Sequence, residues 1–343
     1  MEDNNYTQEH AVPHIQEDSG VLPTFQNRAE LEELKNNIHL IKSEVGKVIV
    51  GQSKMIDLLL TAILADGHVL LEGAPGVAKT ITARLLARCI SADFKRLQFT
   101  PDLMPSDVLG TSVFNMKSSE FEFMPGPVFS NIVLTDEINR APAKTQAALF
   151  EVMEERQATI DGTRYQMEAP YIVLATQNPI EQEGTYKLPE AQLDRFLFKI
   201  EIPYPELNDE VEILKRENKY RGSKIETVNV VITKEQLIRC QAIIKDVVIE
   251  DSLLRYIAEI VANTRNNPYL YLGASPRASI AMLNASKAYA AIRGRDFVMP
   301  EDVDFIAYSV LNHRVILTPE REMEGFTTKQ VVEQIIKSVE VPR

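Results

Sequence analysis

The chain of 343 residues is long enough for about two ordinary domains, and 45% hydrophobic with 25% charged residues gives it a sizeable core rather than general disorder. Lys+Arg 37 against Asp+Glu 49 leaves a net charge of −12 and a pI ≈ 5.1, which argues against a coat for nucleic acid or anionic membrane, though not against a local basic patch. Two cysteines, Cys89 and Cys240, make neither a disulfide framework nor a zinc spacing; with no basic-then-apolar leader and no apolar run near the ~20 residues that span a bilayer, a cytoplasmic protein without signal peptide or membrane span is expected.

Residues 1–27 carry five acids and no Lys or Arg, with Pro13 and Pro23 breaking any period, so they read as a flexible acidic tail. A helix follows Asn27, with Glu30 at the capping-box position and Leu31, Leu34, Ile38, Ile41 and Val45 on one face. A second helix covers roughly 52–65. Short apolar runs at 68–72, 131–135, 171–176 and 197–202 then alternate with helices after residue 80, over 142–155 and near 188–195. That alternation predicts a mostly parallel α/β sheet, whose ligands bind beyond the carboxyl ends of the strands. Two inserts interrupt it. Residues 111–124 hold two β-rich pieces, and 157–167 read as a hairpin around Asp161-Gly162, a type I′ turn signal. Beyond Pro203-Tyr-Pro205 the strands stop, and residues 208–343 read as mainly helical, with a capping box at Thr233/Gln236 and a helix start at Ser275-Pro276.

Gly73-Ala-Pro-Gly-Val-Ala-Lys79-Thr80 lies between a strand and a helix. Backbone N–H groups of such a loop, ending at a helix N-terminus, hold an anionic phosphate. Lys79 would bridge the β- and γ-phosphates and Thr80 would offer a hydroxyl to Mg²⁺. Ala78 stands where the common pattern has glycine; an alanine can adopt helical dihedrals, and its Cβ is read as tolerable. The plainer alternative is a glycine-rich turn before a helix that contains Lys and Thr. The strand Ile132-Val-Leu-Thr-Asp136-Glu137 ends in two acids, costly to bury without a cation or a catalytic task. Asp136 would hold Mg²⁺, directly or through water, and Glu137 would position and deprotonate the attacking water. Asn178 ends another strand, where it could orient water or simply make an Asx-turn before Pro179.

Val50-Gly-Gln52, GAPGVAKT (73–80), TDEINRAP (135–142), ATQNP (175–179), LPEAQLDRF (188–196) and ASPRA (274–278) together resemble the AAA+ ATPases and, more closely, their MoxR family. The resemblance covers roughly residues 48–278, and the lid pattern continues to about 315. It implies an α/β fold with an αβα core over 28–205, parallel strand order 5-1-4-3-2, and an all-helical lid over 206–343. The inserts near 111–124 and 157–167 match that family's helix-two insert and pre-sensor hairpin. It implies that Val48, Ile49, Val50 and Gly51 lie on the adenine side of the nucleotide. Gly73, Ala74, Pro75, Gly76, Val77, Ala78, Lys79, Thr80 and Ile81 would hold its phosphates. Thr80 and Asp136 would hold Mg²⁺. Glu137, Asn178 as sensor 1, Arg195 as an arginine finger reaching a neighbouring subunit, and Arg277 as sensor 2 would act in catalysis. The implied activity is Mg²⁺-dependent ATP hydrolysis by a homo-oligomeric ring, usually a hexamer. Its work would be chaperone-like remodelling, or cofactor insertion into protein clients, often beside a partner bearing a von Willebrand factor A domain.

The residues themselves leave alternatives open. Arg277 sits in the first turn of its helix, where a cation opposes the helix dipole; a nucleotide phosphate would offset this, and a surface salt bridge is the plain alternative. Arg195 follows Asp194 and could pair with it. Arg140 could face a subunit interface or merely solvent. Val113, Phe114, Met116, Phe121, Phe123 and Met124 of the first insert either pack on the core or form a client-facing surface. A nucleic-acid motor finds some support in Lys117, Arg156 and Arg164 near the inserts, but the acidic balance and the lack of aromatic-basic repeats oppose it. A metal-chelatase motor subunit is a near neighbour. Retention of Glu137 opposes a nucleotide-switched scaffold, and the lack of Asn-Lys-x-Asp opposes a GTPase.

Overall fold

The computed structural model of the protein describes residues 28–178, 186–219 and 223–342. The acidic stretch 1–27 and Pro179 lie outside them. Two helices come first, α1 (Arg28–Gly46) and α2 (Ser53–Leu64). All five residues of the α1 stripe, Leu31 to Val45, are buried. A strand–helix series follows: β1 (Val69–Gly73), α3 (Lys79–Cys89), β2 (Phe94–Gln98), α4 (Pro105–Leu109), the hairpin β3 (Gly110–Asn115) and β4 (Glu120–Pro125), and β5 (Ile132–Asp136). Next come α5 (Ala143–Glu155), the hairpin β6 (Gln157–Ile160) and β7 (Thr163–Gln166), β8 (Ile172–Gln177), α6 (Glu190–Leu193) and β9 (Phe198–Ile202). The remainder holds α7 (Leu207–Lys219), α8 (Lys234–Lys245), α9 (Asp251–Arg265), β10 (Leu270–Leu272), α10 (Pro276–Ile292), α11 (Pro300–Leu311), β11 (Ile316–Leu317), α12 (Pro319–Met323) and α13 (Thr328–Ser338).

The central sheet is parallel, in the order β2-β5-β8-β1-β9. With these five strands numbered along the chain this is the expected 5-1-4-3-2. Side chains alternate between its faces, as strand geometry requires. Ile132, Leu134, Ile172 and Leu174 join the apolar cluster of α1, α2 and α3. Val133, Val173 and Ala175 join the one containing Leu149, Phe150 and Met153 of α5. Every residue of β5 is buried, the pattern of a parallel strand covered on both sides.

Strand β2 is an edge that faces solvent over most of its length: of Phe-Lys-Arg-Leu-Gln only Leu97 is buried, so the sequence conceals it. The helix expected near 188–195 is a single turn, α6. In the second hairpin Asp161 (φ 50) and Gly162 (φ 81) both lie at positive φ, as a type I′ turn demands. The first hairpin pairs Gly110–Asn115 with Glu120–Pro125 in register, and Ser112 Oγ donates to Asp161 Oδ2 of the second at 2.6 Å. Phe123 packs on Tyr165 and Phe129, while Val113, Phe114, Met116, Phe121 and Met124 are exposed.

The lid is helical, and its α8, α9, α10, α11 and α13 continue the cluster of α1 and α2. Contrary to expectation, strands do not stop after Pro205. β10 and β11 pair antiparallel, but three and two residues are too few to carry a period-2 signal. Among the described residues no helix is long and apolar enough to cross a membrane.

Candidate functional site

The loop after β1 wraps over the carboxyl end of a central strand and delivers Lys79 at the start of α3. Gly76 has φ 87, a conformation open to glycine at no steric cost. Ala78 does not take the helical dihedrals expected of it. It is the N-cap of α3 at φ 63, ψ 19, in the left-handed region. A Cβ there costs about 1–2 kcal/mol, which explains why glycine is the common residue before the lysine. Three bonds hold the strained loop. Gln52 Nε2 donates to the Val77 carbonyl at 3.2 Å, Lys79 Nζ to that of Gly73 at 2.6 Å, and Thr82 Oγ1 to that of Ala78 at 2.9 Å.

Asp136, at the end of β5, is 6% exposed. Its Oδ1 accepts from Thr176 Oγ1 at 3.1 Å, and its Oδ2 lies 3.5 Å from Thr80 Oγ1. Arg96 Nε donates to the same Oδ2 at 2.5 Å. A buried carboxylate beside a threonine hydroxyl is a hard-oxygen pair that fits Mg²⁺, which takes one or two protein oxygens and completes its shell with phosphate and water. No group of three or more His, Cys, Asp or Glu that could hold a metal occurs among the described residues.

Glu137 follows at φ 57, again left-handed. Its N–H donates to Thr176 Oγ1 at 3.0 Å, and its Oε2 accepts from Gln98 Nε2 at 2.9 Å. Arg140 Nε lies 3.1 Å from that Oε2, so this arginine is joined to the acidic pair. Lys79, Thr80, Ile81, Asp136, Glu137 and Asn178 share one cavity of about 380 Å³, lined also by Arg96, Gln98 and Thr176. Burial holds the Lys79 ammonium below its ordinary value, against the pull of Asp136, Glu137 and Glu72.

Val48, Ile49, Val50 and Gly51 form the turn between α1 and α2. Gly51 has φ 65, strained for any other residue, and a Cβ there would stand 2.3 Å from Asp209 Oδ2, so that carboxylate would have to move aside. Gln52, Gly73, Ala74, Tyr204, Pro205 and Asp209 line a larger cavity, about 720 Å³, on the other side of the phosphate loop's first residues.

The two remaining arginines lie elsewhere. Neither Arg195 nor Arg277 lines the 380 Å³ cavity. Both pair with Glu154 near the end of α5, Arg277 Nη2 at 2.9 Å and Arg195 Nε at 3.6 Å, and Arg195 Nη1 also donates to the Phe150 carbonyl. Asp194 does not pair with its neighbour Arg195; its Oδ1 accepts from Arg314 Nε at 2.6 Å.

Sequence reasoning missed Arg96, Gln98, Thr176, Glu154 and Arg314. The first two stand two apart on β2, hence on one face, and the register sets Gln98 opposite Asp136. An edge strand without an apolar run gave no signal for them. Thr176 sits inside the ATQNP segment, where a buried threonine at a strand end was the available clue.

A family model described as "ATPase family associated with various cellular activities (AAA)" matches residues 68–198, and one described as "AAA lid domain" matches 262–335. The chain is similar to the uncharacterized protein YeaC of Bacillus subtilis, 51% identical over 87% of this chain and 92% of that protein. It is 40% identical to the protein named Chaperone MoxR1 of Mycobacterium tuberculosis, over 91% of this chain and 85% of the relative. A crystal structure of a candidate ATPase from Cytophaga hutchinsonii superposes with a TM-score of 0.86 at 44% identity, covering 92% of this chain and 98% of that one.

Proposed function

The chain belongs to the MoxR family of AAA+ ATPases, and on that premise we propose that it is a Mg²⁺-dependent ATP-hydrolysing motor, working in a cytoplasmic homo-oligomeric ring, that remodels or matures partner proteins. The carrying observation is the convergence of Lys79, Thr80, Asp136, Glu137 and Asn178 on one cavity at the carboxyl ends of the central strands. The loop N–H groups and Lys79 bind the β- and γ-phosphates, with Lys79 leaving the Gly73 carbonyl that it now contacts. Thr80 and Asp136 would hold the magnesium ion, which when bound would neutralise charge on those phosphates. Arg96 occupies Asp136 Oδ2 from the neighbouring strand. Glu137, fixed through its backbone by Thr176 and through its carboxylate by Gln98, accepts the proton of the attacking water. Asn178 orients that water.

Arg195 and Arg277 belong to a second surface. Their shared place on Glu154, away from their own phosphate cavity, suits cations that act on a neighbouring subunit's nucleotide. This reading makes the site complete only in an assembly, for which a hexamer is our proposal. The chaperone role follows the name borne by the 40% identical relative. The exposed Phe114 and Phe121, whose rings meet edge to face at 5.3 Å, give the first hairpin an apolar tip suited to a protein client. A von Willebrand factor A domain partner is part of the same proposal.

The test is a pair of variants. Glu137→Gln should retain ATP binding and lose turnover, and Lys79→Ala should weaken binding itself. Turnover by Glu137→Gln at the wild-type rate would refute the role given to Glu137.

A further inference from the structure

Helix α11 runs into Asn312-His313-Arg314; the His313 and Arg314 side chains reach the connection between α6 and β9, and that of Asn312 reaches β9 itself. Asn312 Nδ2 donates to the Lys199 carbonyl at 3.1 Å, and His313 Nε2 lies 3.1 Å from that of Phe196. Arg314 reaches furthest. Its Nη2 donates to the carbonyls of Asp194 (3.1 Å) and Phe196 (2.6 Å), and its Nη1 to those of Leu197 (3.2 Å) and Val310 (2.5 Å). Its Nε donates to Asp194 Oδ1 at 2.6 Å. A guanidinium has five N–H donors, and these five bonds use them all. A lysine, with three donors on a single atom, cannot copy that fork.

Asp194 carries the contact onward. Its Oδ2 accepts from Ser275 Oγ at 3.0 Å, and Ser275 Oγ in turn accepts from the Arg277 N–H at 3.2 Å as the N-cap of α10. One guanidinium therefore fixes the backbone on both sides of Arg195 and, through one carboxylate and one hydroxyl, the helix start that bears Arg277. Arg314 is 7% exposed and takes no part in the phosphate cavity. Burial lowers its pKa, while Asp194 opposes the shift. Both arginines it controls share the Glu154 carboxylate.

We propose that Arg314, acting through Asp194, is a positioning residue that holds Arg195 and Arg277 as one rigid unit for delivery to a neighbouring subunit's nucleotide. The inference rests on the reading that those two arginines act in trans. A lid merely glued to the core by Arg314 would make different predictions, because its loss would weaken the whole subunit and not the partner's chemistry.

The experiment uses full-length Arg314→Lys, with Asp194→Asn, which keeps the side chain's volume, as the milder variant should Arg314→Lys fail to fold. Each is assayed for ATP turnover alone and mixed with excess Glu137→Gln, a subunit inactive itself but with intact arginines. Arg195→Ala is run in parallel. The expected result is a kcat at least tenfold below wild type with KM for ATP changed less than twofold. Glu137→Gln should then restore turnover to the level it gives Arg195→Ala. A trans-acting arginine is worth about 10³-fold or more in related phosphoryl transfer, so a displaced one leaves a readable loss. Unchanged kcat in both variants overturns the proposal. So does a loss that Glu137→Gln fails to rescue while it rescues Arg195→Ala. If Arg195→Ala itself is not rescued, the trans reading beneath the proposal falls instead, and the proposal with it.

Discussion

His68 offers a quantitative test of the fold that carries the site. It precedes β1, is buried, and joins three elements: the Val173 N–H of β8 donates to its Nδ1 at 2.9 Å, and its Nε2–H donates to the Met153 carbonyl of α5 at 3.1 Å. That pattern admits only the neutral ring. Burial, reinforced by the nearby Arg156 guanidinium, pushes the pKa down from 6.5 to about 3. The unfolded chain takes up a proton on His68 near pH 6.5 and the folded chain does not until near pH 3. Stability is therefore complete well above pH 6.5 and falls as the pH drops through the unfolded value, by up to about 1.4 kcal/mol per pH unit. Between pH 8 and pH 5.5, one such histidine removes about 1.4 kcal/mol. His313, also buried and held well below its ordinary pKa, acts in the same sense. Asp66, whose carboxyl burial raises, works oppositely but is common to every protein compared. The assay is urea unfolding at several pH values in that window, above the pI ≈ 5.1 where net charge vanishes. His68→Gln starts from lower stability, but its loss between pH 8 and 5.5 should shrink by about 1.4 kcal/mol, and that of His68→Gln/His313→Gln should shrink further. Identical pH profiles for wild type and His68→Gln would refute the buried neutral imidazole.

Gln98→Ala removes one side-chain donor to Glu137, leaving Arg140 beside the same oxygen and the phosphate loop untouched. kcat should fall about tenfold at an unchanged KM for ATP, a fraction of what a general base contributes, and an undiminished kcat would remove Gln98 from the machinery. Ala78→Gly relieves a left-handed alanine, about 1–2 kcal/mol, against about 0.4–1 kcal/mol of added freedom in the unfolded chain, for a net gain near 0.5–1 kcal/mol. A thermal melt showing destabilisation by 1 kcal/mol or more would contradict the strain assigned to that residue.

The sequence made legible what depends on local pattern. Strands β1, β5 and β8 carry apolar runs because they lie inside the sheet, and β9, at its edge, because Phe198, Ile200 and Ile202 are buried; the phosphate loop and the Asp136-Glu137 pair lie at the ends of two of them. Its I′ hairpin and the caps at Thr233 and Ser275 announce themselves through residues suited to those turns. What escaped depends on contacts between distant segments. Arg96 and Gln98 meet the acidic pair only because β2 is the neighbour of β5, a pairing that a polar edge strand does not advertise. Asp194 looks like the partner of Arg195 in sequence, yet consecutive side chains diverge, and the buried fork of Arg314, 120 residues away, takes that carboxylate. The left-handed geometry of Ala78 was missed for a different reason. A side chain tolerated under strain leaves the same one-letter record as one at ease.

Strain and division of labour belong to one argument. Three non-glycine residues with positive φ lie at or beside the phosphate loop and acidic pair: Gln52 (53), Ala78 (63) and Glu137 (57). Each is held by its surroundings, Gln52 and Ala78 through carbonyls of the loop and Glu137 through Thr176 and Gln98. Such conformations persist only where the surrounding structure over-determines them, and they cluster where groups must be fixed before the substrate arrives. The half of the site proposed to bind phosphate is thus pre-set within one subunit. The proposed trans-acting half is held more loosely. Arg195 and Arg277 are tied to Glu154 by contacts that a competing anion can replace, one of them at 3.6 Å, while the backbone carrying them is pinned by Arg314. Side chains that can be released, standing on a frame that cannot move, suit groups meant to exchange a resident carboxylate for a nucleotide phosphate. On the proposed trans reading, such an exchange would couple the arginines to the partner's nucleotide state, since the ion pairs with Glu154 would give way when a phosphate competes for them.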